Sequence, residues 1–158
     1  MKKYYTELKW AGINFGMYLV WMLLERLFGL HGPNIQHQQL VSTFILIPSL
    51  LIYVLALREK KRKVFQGKIT FGQAFKSGMV LTILIVLFSP VNQLIITQLV
   101  SPEYFKNMRD LAVAKGMSPE EARSRLNTGA FIVQSVVGGL VTGALFSALV
   151  SVVIRSKK

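Results

Sequence analysis

Four apolar segments, each about as long as a helix that crosses a lipid bilayer, restrict what this chain can fold into. They cover residues 10–30, 40–57, 75–100 and 130–154. Each segment is continuously apolar instead of alternating between apolar and polar residues, which favours helices over barrel strands in lipid. We therefore predict an all-α fold, a polytopic transmembrane four-helix bundle in which residues 1–158 form a single integral membrane domain.

The composition agrees with a membrane protein. The chain is 52% hydrophobic and only 16% charged, whereas about a quarter of the residues in a soluble domain are charged. It has no cysteine, which excludes disulfides and cysteine-based zinc or iron–sulfur sites. No small-residue cleavage pattern follows the first apolar segment, so we expect it to remain as a span.

The loop between the second and third segments is strongly basic. Of the 19 Lys and Arg residues, 13 fall in this loop and in the two terminal regions, and 6 fall in the other two loops. Because cytoplasmic loops collect Lys and Arg, we predict that both termini and the basic loop face the cytoplasm. We assign orientation and attraction to lipid headgroups to Arg58, Lys60, Lys61, Arg62 and Lys63. The run lacks interleaved aromatic residues, so we expect membrane lipids and no nucleic acid as its partner.

A capping box predicts where the chain turns back into the membrane after the basic loop. Thr70 is suited to cap a helix, and Gln73 stands three residues later, at the position that completes the box. We therefore expect the third helix to begin near Phe71, with Ile69 packing onto Ala74.

The loop between the third and fourth segments contains signals for a helical hairpin over about residues 102–126. Ser101, which we predict to be a helix cap, is followed by a proline and an acid, a pattern typical of a helix start, and Gly116 is typical of a helix end. Ser118 and Glu121 predict a capping box for the second helix. Such an outer hairpin either only links the two spans or offers a binding surface.

Small residues recur at every fourth position along the fourth segment: Ser135, Gly139, Gly143, Ser147 and Ser151. On a helix they form a flat stripe that allows close backbone approach. The stripe packs either within the bundle or against another protein, as the face of a homo- or hetero-oligomer. Gly12 and Gly16 form a shorter stripe, and the simplest pairing sets the first segment against the fourth.

Glu25 is the one acid within a predicted span, where ionisable residues are expensive and often functional. It lies near the outer end of the first segment, so it is either a hydrogen-bonded interfacial residue or part of a proton, ion or substrate site. His31 and Gln134 are possible partners. With His31 and His37 it could supply the three ligands of a catalytic-type metal site. The histidine spacing does not match a helical metal pair, however, and no further carboxylate or cysteine adds to the set. We predict no metal.

Two prolines, Pro48 and Pro90, lie inside apolar segments and predict kinks. Asn92 and Gln93 follow Pro90, and Ser89 precedes it. These side chains either satisfy carbonyls that the proline frees, bond to a neighbouring helix, or line a polar pocket. No catalytic or phosphate-binding motif occurs, so we predict no catalytic residues and no cofactor.

The chain resembles a family of small bacterial membrane proteins grouped as domain of unknown function 4199. The likeness covers nearly the whole chain and rests on the four-span layout, on residues 67–78 (GKITFGQAFKSG) after the basic loop, and on residues 116–120 (GMSPE). The resemblance implies a multi-pass protein of the bacterial inner membrane. It supplies no functional residues.

Three functions fit these observations. The first is a non-catalytic accessory or structural membrane protein that acts through helix packing and its outer hairpin. The second is a transport component, with a pathway lined by Glu25, Asn92 and Gln93. The third is a lipid-modifying enzyme that uses Glu25 and His31.

Overall fold

A computed structural model describes residues 4–156, and within this range every regular element is helical and no strand occurs. The α-helices are α1 (Tyr5–Leu27), α2 (Gln38–Thr43), α3 (Leu46–Lys63), α4 (Phe71–Ile95), α5 (Tyr104–Ala114), α6 (Pro119–Arg125) and α7 (Thr128–Ile154). A short 3₁₀ turn precedes α2 (Ile35–His37), and a π-helical turn extends α4 (Ile96–Val100). The predicted all-α class is confirmed.

α4 contacts each of the other long helices. α7 packs along it most extensively, α1 packs on it as well, and α3 contacts α1, α4 and α7. The apolar core between them lies toward the basic loop, at the end of α3, the start of α4 and the end of α7. Its buried members are Ala11, Tyr53, Ala56, Leu57, Ile69, Ala74, Leu81, Val150 and Ile154.

Three helical stretches within residues 4–156 are long and apolar enough to cross a membrane, judged by length and composition. They are Ile35–Lys63, Phe71–Val100 and Thr128–Ile154. They coincide with the second, third and fourth predicted spans.

α1 has 23 residues but is not among these three stretches. Glu7 and Lys9 lie near its start and Glu25 and Arg26 near its end, with Asn14 between them. These charged and amide side chains lower the mean hydropathy of the helix. The first predicted span therefore remains a prediction.

The outer surface of the bundle is apolar on every long helix. Val20 of α1, Leu51 of α3, Leu87 of α4 and Leu145 of α7 are all more than half exposed. Soluble monomers rarely expose large contiguous apolar surfaces, and so this surface is suited to lipid.

Capping side chains set the starts of three helices. The predicted capping box of α4 is confirmed: Thr70 Oγ1 accepts from Gln73 N at 3.2 Å, and Gln73 Oε1 accepts from Thr70 N at 3.0 Å. Ser118 accepts from the backbone N–H of Glu121, which is one half of the box predicted for α6. Asn127 caps α7.

The cap predicted at Ser101 is wrong. α5 begins at Tyr104 without a side-chain cap, and the Ser101 hydroxyl is instead hydrogen-bonded to His31 Nδ1 at 2.7 Å. α5 and α6 occupy the region predicted as a hairpin, and α5 buries Tyr104 and Phe105 on its inner side. This face packs on the protein itself.

The two prolines act differently from each other. Pro48 does not kink a helix interior as predicted, because the helix is already interrupted between α2 and α3 and Pro48 falls in the first turn of α3. Proline has no N–H to donate to the carbonyl four residues earlier, that of Phe44, which lies in the interruption. α4 continues through Pro90, and the Ser89 hydroxyl donates to Val86 O at 2.8 Å. Ser89 thus satisfies the carbonyl that Pro90 frees.

The small-residue stripe of α7 packs against α4, and so the predicted pairing of the first segment with the fourth is wrong. A Cβ at Gly143 would lie 2.7 Å from the Tyr53 hydroxyl and would also clash with Thr82. A Cβ at Gly78 of α4 would lie 2.6 Å from Ser147 Oγ. α4 therefore carries the small residue that complements the stripe.

The rest of the stripe follows the same line. A Cβ at Gly139 would lie 3.0 Å from a methyl group of Val86, Ser135 is hydrogen-bonded to Ser89 at 3.4 Å, and Ser151 is fully buried. Gly12 and Gly16 behave differently, because a Cβ at either position would meet open space. The packing role predicted for these two glycines is not seen within the chain.

Candidate functional site

Glu25 is buried at the end of α1, with 2% of the residue exposed. Its Oε1 accepts hydrogen bonds from Trp21 Nε1 and from the Ser42 hydroxyl, both at 2.6 Å. Its Oε2 accepts from Gln38 Nε2 at 3.4 Å and lies 3.3 Å from His31 Nε2. Four donors therefore compensate the carboxylate for the water it has lost. We call these five residues the Glu25 cluster.

His31 links the Glu25 cluster to α5. A carboxylate only accepts hydrogen bonds, so Nε2 of His31 carries the hydrogen that points to Glu25. In the neutral ring, Nδ1 then accepts from the Ser101 hydroxyl. Asn107 Nδ2 donates to the His31 carbonyl at 2.8 Å, and the Tyr104 ring stands edge-on to the imidazole with centroids 4.9 Å apart. The cluster thus connects α1 to Ser101, which follows the π-helical turn at the end of α4, and to α5.

A second buried carboxylate, Glu7, lies at the opposite end of α1 and is also 2% exposed. Lys60 Nζ lies 2.8 Å from its Oε1 and donates to its Oε2 at 2.9 Å, and the Ser77 hydroxyl donates to Oε1 at 2.5 Å. We call these three residues the Glu7 cluster. It joins α1, α3 and α4, and sequence reasoning did not find it. The signal was there: Glu7 is a lone acid among the bases of the N-terminal region.

Glu59, the acid within the basic run, is also engaged. It accepts hydrogen bonds from Lys9 and from Trp10 Nε1, the latter at 2.7 Å. Lys63 of the same helix donates to its other oxygen at 2.9 Å. Glu59 therefore holds the start of α1 against the end of α3.

The five bases assigned to lipid headgroups differ in position. Arg58, Arg62 and Lys63 are exposed, and for them the headgroup role remains a prediction. Lys61 Nζ donates to the Ile154 carbonyl at 2.7 Å. The headgroup role predicted for Lys60 is corrected. The residue is only 4% exposed, because its ammonium pairs with the buried Glu7 carboxylate.

A cavity of about 170 Å³, here called the main cavity, lies among α1, α3, α4 and α7. Phe15, Phe88 and Phe146 form much of its apolar wall. Asn14 from α1 and the adjacent pair Asn92 and Gln93 from α4 supply amides. None of the described residues that line it carries a charge.

Asn92 carries a buried side-chain oxygen without a hydrogen-bond partner in the part of the chain that the structure describes. The atom is Oδ1, and the residue is 6% exposed. A buried acceptor left without a donor costs about 1–3 kcal/mol. Asn92 lines the main cavity, and a donor that reached this oxygen after a turn of the side chain would be stabilised there.

Gln93 also lines a second cavity of about 140 Å³ next to the first. This smaller cavity is bordered by Trp21, Gln38 and Ser42, three members of the Glu25 cluster, and by Tyr104. Burial, followed by the nearby Tyr18 hydroxyl and Glu25 carboxylate, raises the pKa of the Tyr104 hydroxyl, which therefore stays protonated.

The four polar candidates from the sequence divide into two neighbouring groups. Asn92 and Gln93 line the main cavity, whereas Glu25 and His31 lie in the Glu25 cluster and line neither cavity. Gln134, the alternative partner for Glu25, is exposed on α7. Between residues 4 and 156, no three His, Cys, Asp or Glu side chains are grouped to hold a metal ion.

Asn14, Tyr18 and Tyr53 line the main cavity but were not predicted as site residues. Asn14 gave a usable signal, because an amide in the middle of an apolar span is costly unless it has a role. The two tyrosines gave none, since tyrosine in a membrane helix is ordinary near an interface.

A family model described as "Protein of unknown function (DUF4199)" matches residues 9–156. No curated protein matches the chain. No solved structure matches it either.

Proposed function

The chain belongs to the DUF4199 family, and we propose that it is a non-catalytic accessory or structural protein of the bacterial inner membrane. In this proposal α1, α3, α4 and α7 all span the bilayer, α5 and α6 form an outer hairpin, and both termini are cytoplasmic. Three of these spans have the length and composition to cross. The fourth, α1, is not among these apolar stretches.

The observation that carries the proposal is the position of two buried carboxylates on α1. Glu7 and Glu25 are 18 residues apart in one helix, which corresponds to about 27 Å at 1.5 Å per residue. The hydrocarbon core of a bilayer is about 30 Å thick. Each carboxylate is compensated by protein donors at its own end of the helix. This spacing suits a helix whose ends lie at the two membrane interfaces.

The charge distribution supports the orientation. The Glu7 cluster lies next to the exposed bases Arg58 and Arg62, and this end of the bundle carries the basic loop. The Glu25 cluster lies at the opposite end, beside α5. With Lys and Arg concentrated at one end, the basic end faces the cytoplasm.

The engagement of Glu25 favours a non-catalytic role. Both of its oxygens accept hydrogen bonds from protein donors, and both ring nitrogens of His31 have protein partners. A general acid or base needs a position within reach of its substrate. The lipid-modifying enzyme that would use Glu25 and His31 therefore gains no support from this geometry.

An accessory protein needs a surface for its partner. The small stripe of α7 is covered by α4, and so a partner at the fourth span would meet the opposite face, where Val133, Val137 and Val141 are exposed.

Native purification in mild detergent and in nanodiscs is expected to recover a complex. Purification of free monomer alone under both conditions would contradict the accessory role.

Transport is the second candidate, because Gln93 lines both cavities and joins the main cavity to the partners of Glu25. If this line of polar groups conducts, Gln93→Leu and Glu25→Gln should each reduce flux in proteoliposomes. Flux of protons and common ions no greater than in empty vesicles would remove this candidate for those solutes.

A further inference from the structure

We propose that the main cavity binds a neutral aromatic ring bearing a hydroxyl group, taken up from the membrane, whose hydroxyl donates to Asn92 Oδ1. The site lies among α1, α3, α4 and α7 and does not depend on the accessory role proposed above. Its ligand chemistry follows from the charge, the shape and the unpaired atom of the cavity.

The unpaired atom fixes what the ligand must offer. Asn92 Oδ1 is an acceptor, buried and without a partner among residues 4–156. A turn of the Asn92 side chain toward the cavity would bring Oδ1 to a ligand hydroxyl or N–H, which would supply the missing donor, whereas an ether or hydrocarbon would leave it unsatisfied. The neighbouring amides of Asn14 and Gln93 can accept from or donate to the same polar group.

The side chains that line the cavity indicate that the rest of the ligand is aromatic and neutral. Phe15, Phe88, Phe146 and Tyr53 border the cavity, and aromatic pairs gain from edge-to-face and offset contacts. The structure already contains such pairs here, with Phe15 and Phe88 at 5.6 Å and Tyr53 and Phe146 at 5.6 Å between ring centroids. No charged side chain lines the cavity among the described residues, and so the ligand is neutral.

The size of the cavity agrees with one ring. Its volume is about 170 Å³, and an apolar protein cavity of about 150 Å³ is known to bind benzene. Leu46 lines the cavity and is also 42% exposed, so the cavity reaches the lipid-facing surface beside it. A ring can therefore enter from the bilayer while any alkyl tail stays in lipid.

The test uses the full chain in lipid nanodiscs with 4-propylphenol and its methyl ether, 4-propylanisole, at matched concentrations in the membrane. Thermal unfolding is followed across a titration of each, since a bound ligand raises the unfolding temperature in a saturable manner. We expect a saturable shift with the phenol and an apparent affinity about tenfold weaker for the ether, the factor that one buried hydrogen bond provides.

Three variants locate the effect. Asn92→Leu should remove the difference between phenol and ether, and it should fold because Oδ1 has no partner to lose. Ser49→Leu, which fills the cavity from α3, should abolish both shifts. Gln134→Leu removes an exposed amide on α7 and should behave as the unaltered protein.

Other outcomes overturn the proposal. Equal dose responses to phenol and ether, discrimination that survives Asn92→Leu, or no saturable shift with either probe would mean that the cavity holds only water or lipid chains. 4-Dodecylphenol separates two sources of the ring, because tight binding of this compound indicates the head of a lipid-soluble molecule. Binding of 4-propylphenol alone indicates a small free phenol, and either result supports the site.

Discussion

Lys60 shows how one buried charge changes the meaning of a basic run. Five bases in a short loop look alike in sequence, yet Lys60 is withdrawn into the Glu7 cluster while Arg58 and Arg62 remain at the surface. A buried ammonium needs a paired carboxylate, because the cost of removing it from water is large. Glu7 and Lys60 therefore depend on each other.

We predict that Lys60→Met destabilises the protein by about 3–5 kcal/mol, because it leaves the Glu7 carboxylate buried without its cation. The double variant Glu7→Gln with Lys60→Met should recover much of this loss, since no buried charge remains. Unfolding in a mild detergent measures both.

Lys63→Met is the matched control. Lys63 also pairs with an acid, Glu59, but its side chain is 58% exposed. Exposed pairs contribute about 0–1 kcal/mol, so this variant should change stability little. If Lys60→Met proves as mild as Lys63→Met, the Glu7 cluster does not stabilise the bundle.

At the scale of elements, the contact between α4 and α7 is the most extensive in the bundle. Small residues on both helices allow the approach, with Gly78 facing Ser147 and Gly143 facing Thr82 and Tyr53. Little hydrophobic force acts between helices in lipid, and close packing supplies the attraction instead.

Gly143→Leu should therefore disrupt the α4–α7 contact, with a loss at or above about 3 kcal/mol, the upper end for overpacked sites. The expected result is poor recovery of folded protein in size-exclusion chromatography and a lowered unfolding temperature. Gly138→Leu is the control on the same helix, because a Cβ there meets open space. An inserted and thermally unchanged Gly143→Leu protein would contradict the packing.

Local sequence signals predicted helix starts correctly where the two hydrogen-bonding residues are near each other in the sequence. The Thr70 capping box and the start of α4 at Phe71 needed only four consecutive residues. Ser101 was misassigned because its real partner, His31, is 70 residues away. The predicted pairing of the Gly12 and Gly16 stripe with the fourth segment was wrong for a similar reason, since spacing alone does not show which helix a stripe faces.

In the whole molecule, one half of the bundle is packed and the other holds cavities. The apolar core lies toward the basic end, whereas the main cavity lies among Asn14, Ser49, Asn92 and Ser135, nearer the Glu25 cluster. The sequence pointed to Asn92 and Gln93 through Pro90. It could not show that Glu25 stays outside the cavity, because that depends on which donors the folded chain brings to its carboxylate.

In the proposed topology, α1 crosses the membrane between the Glu7 and Glu25 clusters, so that the chain has four spans. The absence of cysteine allows single cysteines to be placed freely at the exposed positions Tyr5, Gln36, Lys68 and Lys115. Each variant is treated with a membrane-impermeant maleimide, in intact cells and after permeabilisation.

We predict that Gln36→Cys and Lys115→Cys are labelled in intact cells, whereas Tyr5→Cys and Lys68→Cys are labelled only after permeabilisation. Labelling of Tyr5→Cys and Gln36→Cys from the same side would contradict the four-span topology, because α1 would then not cross the membrane.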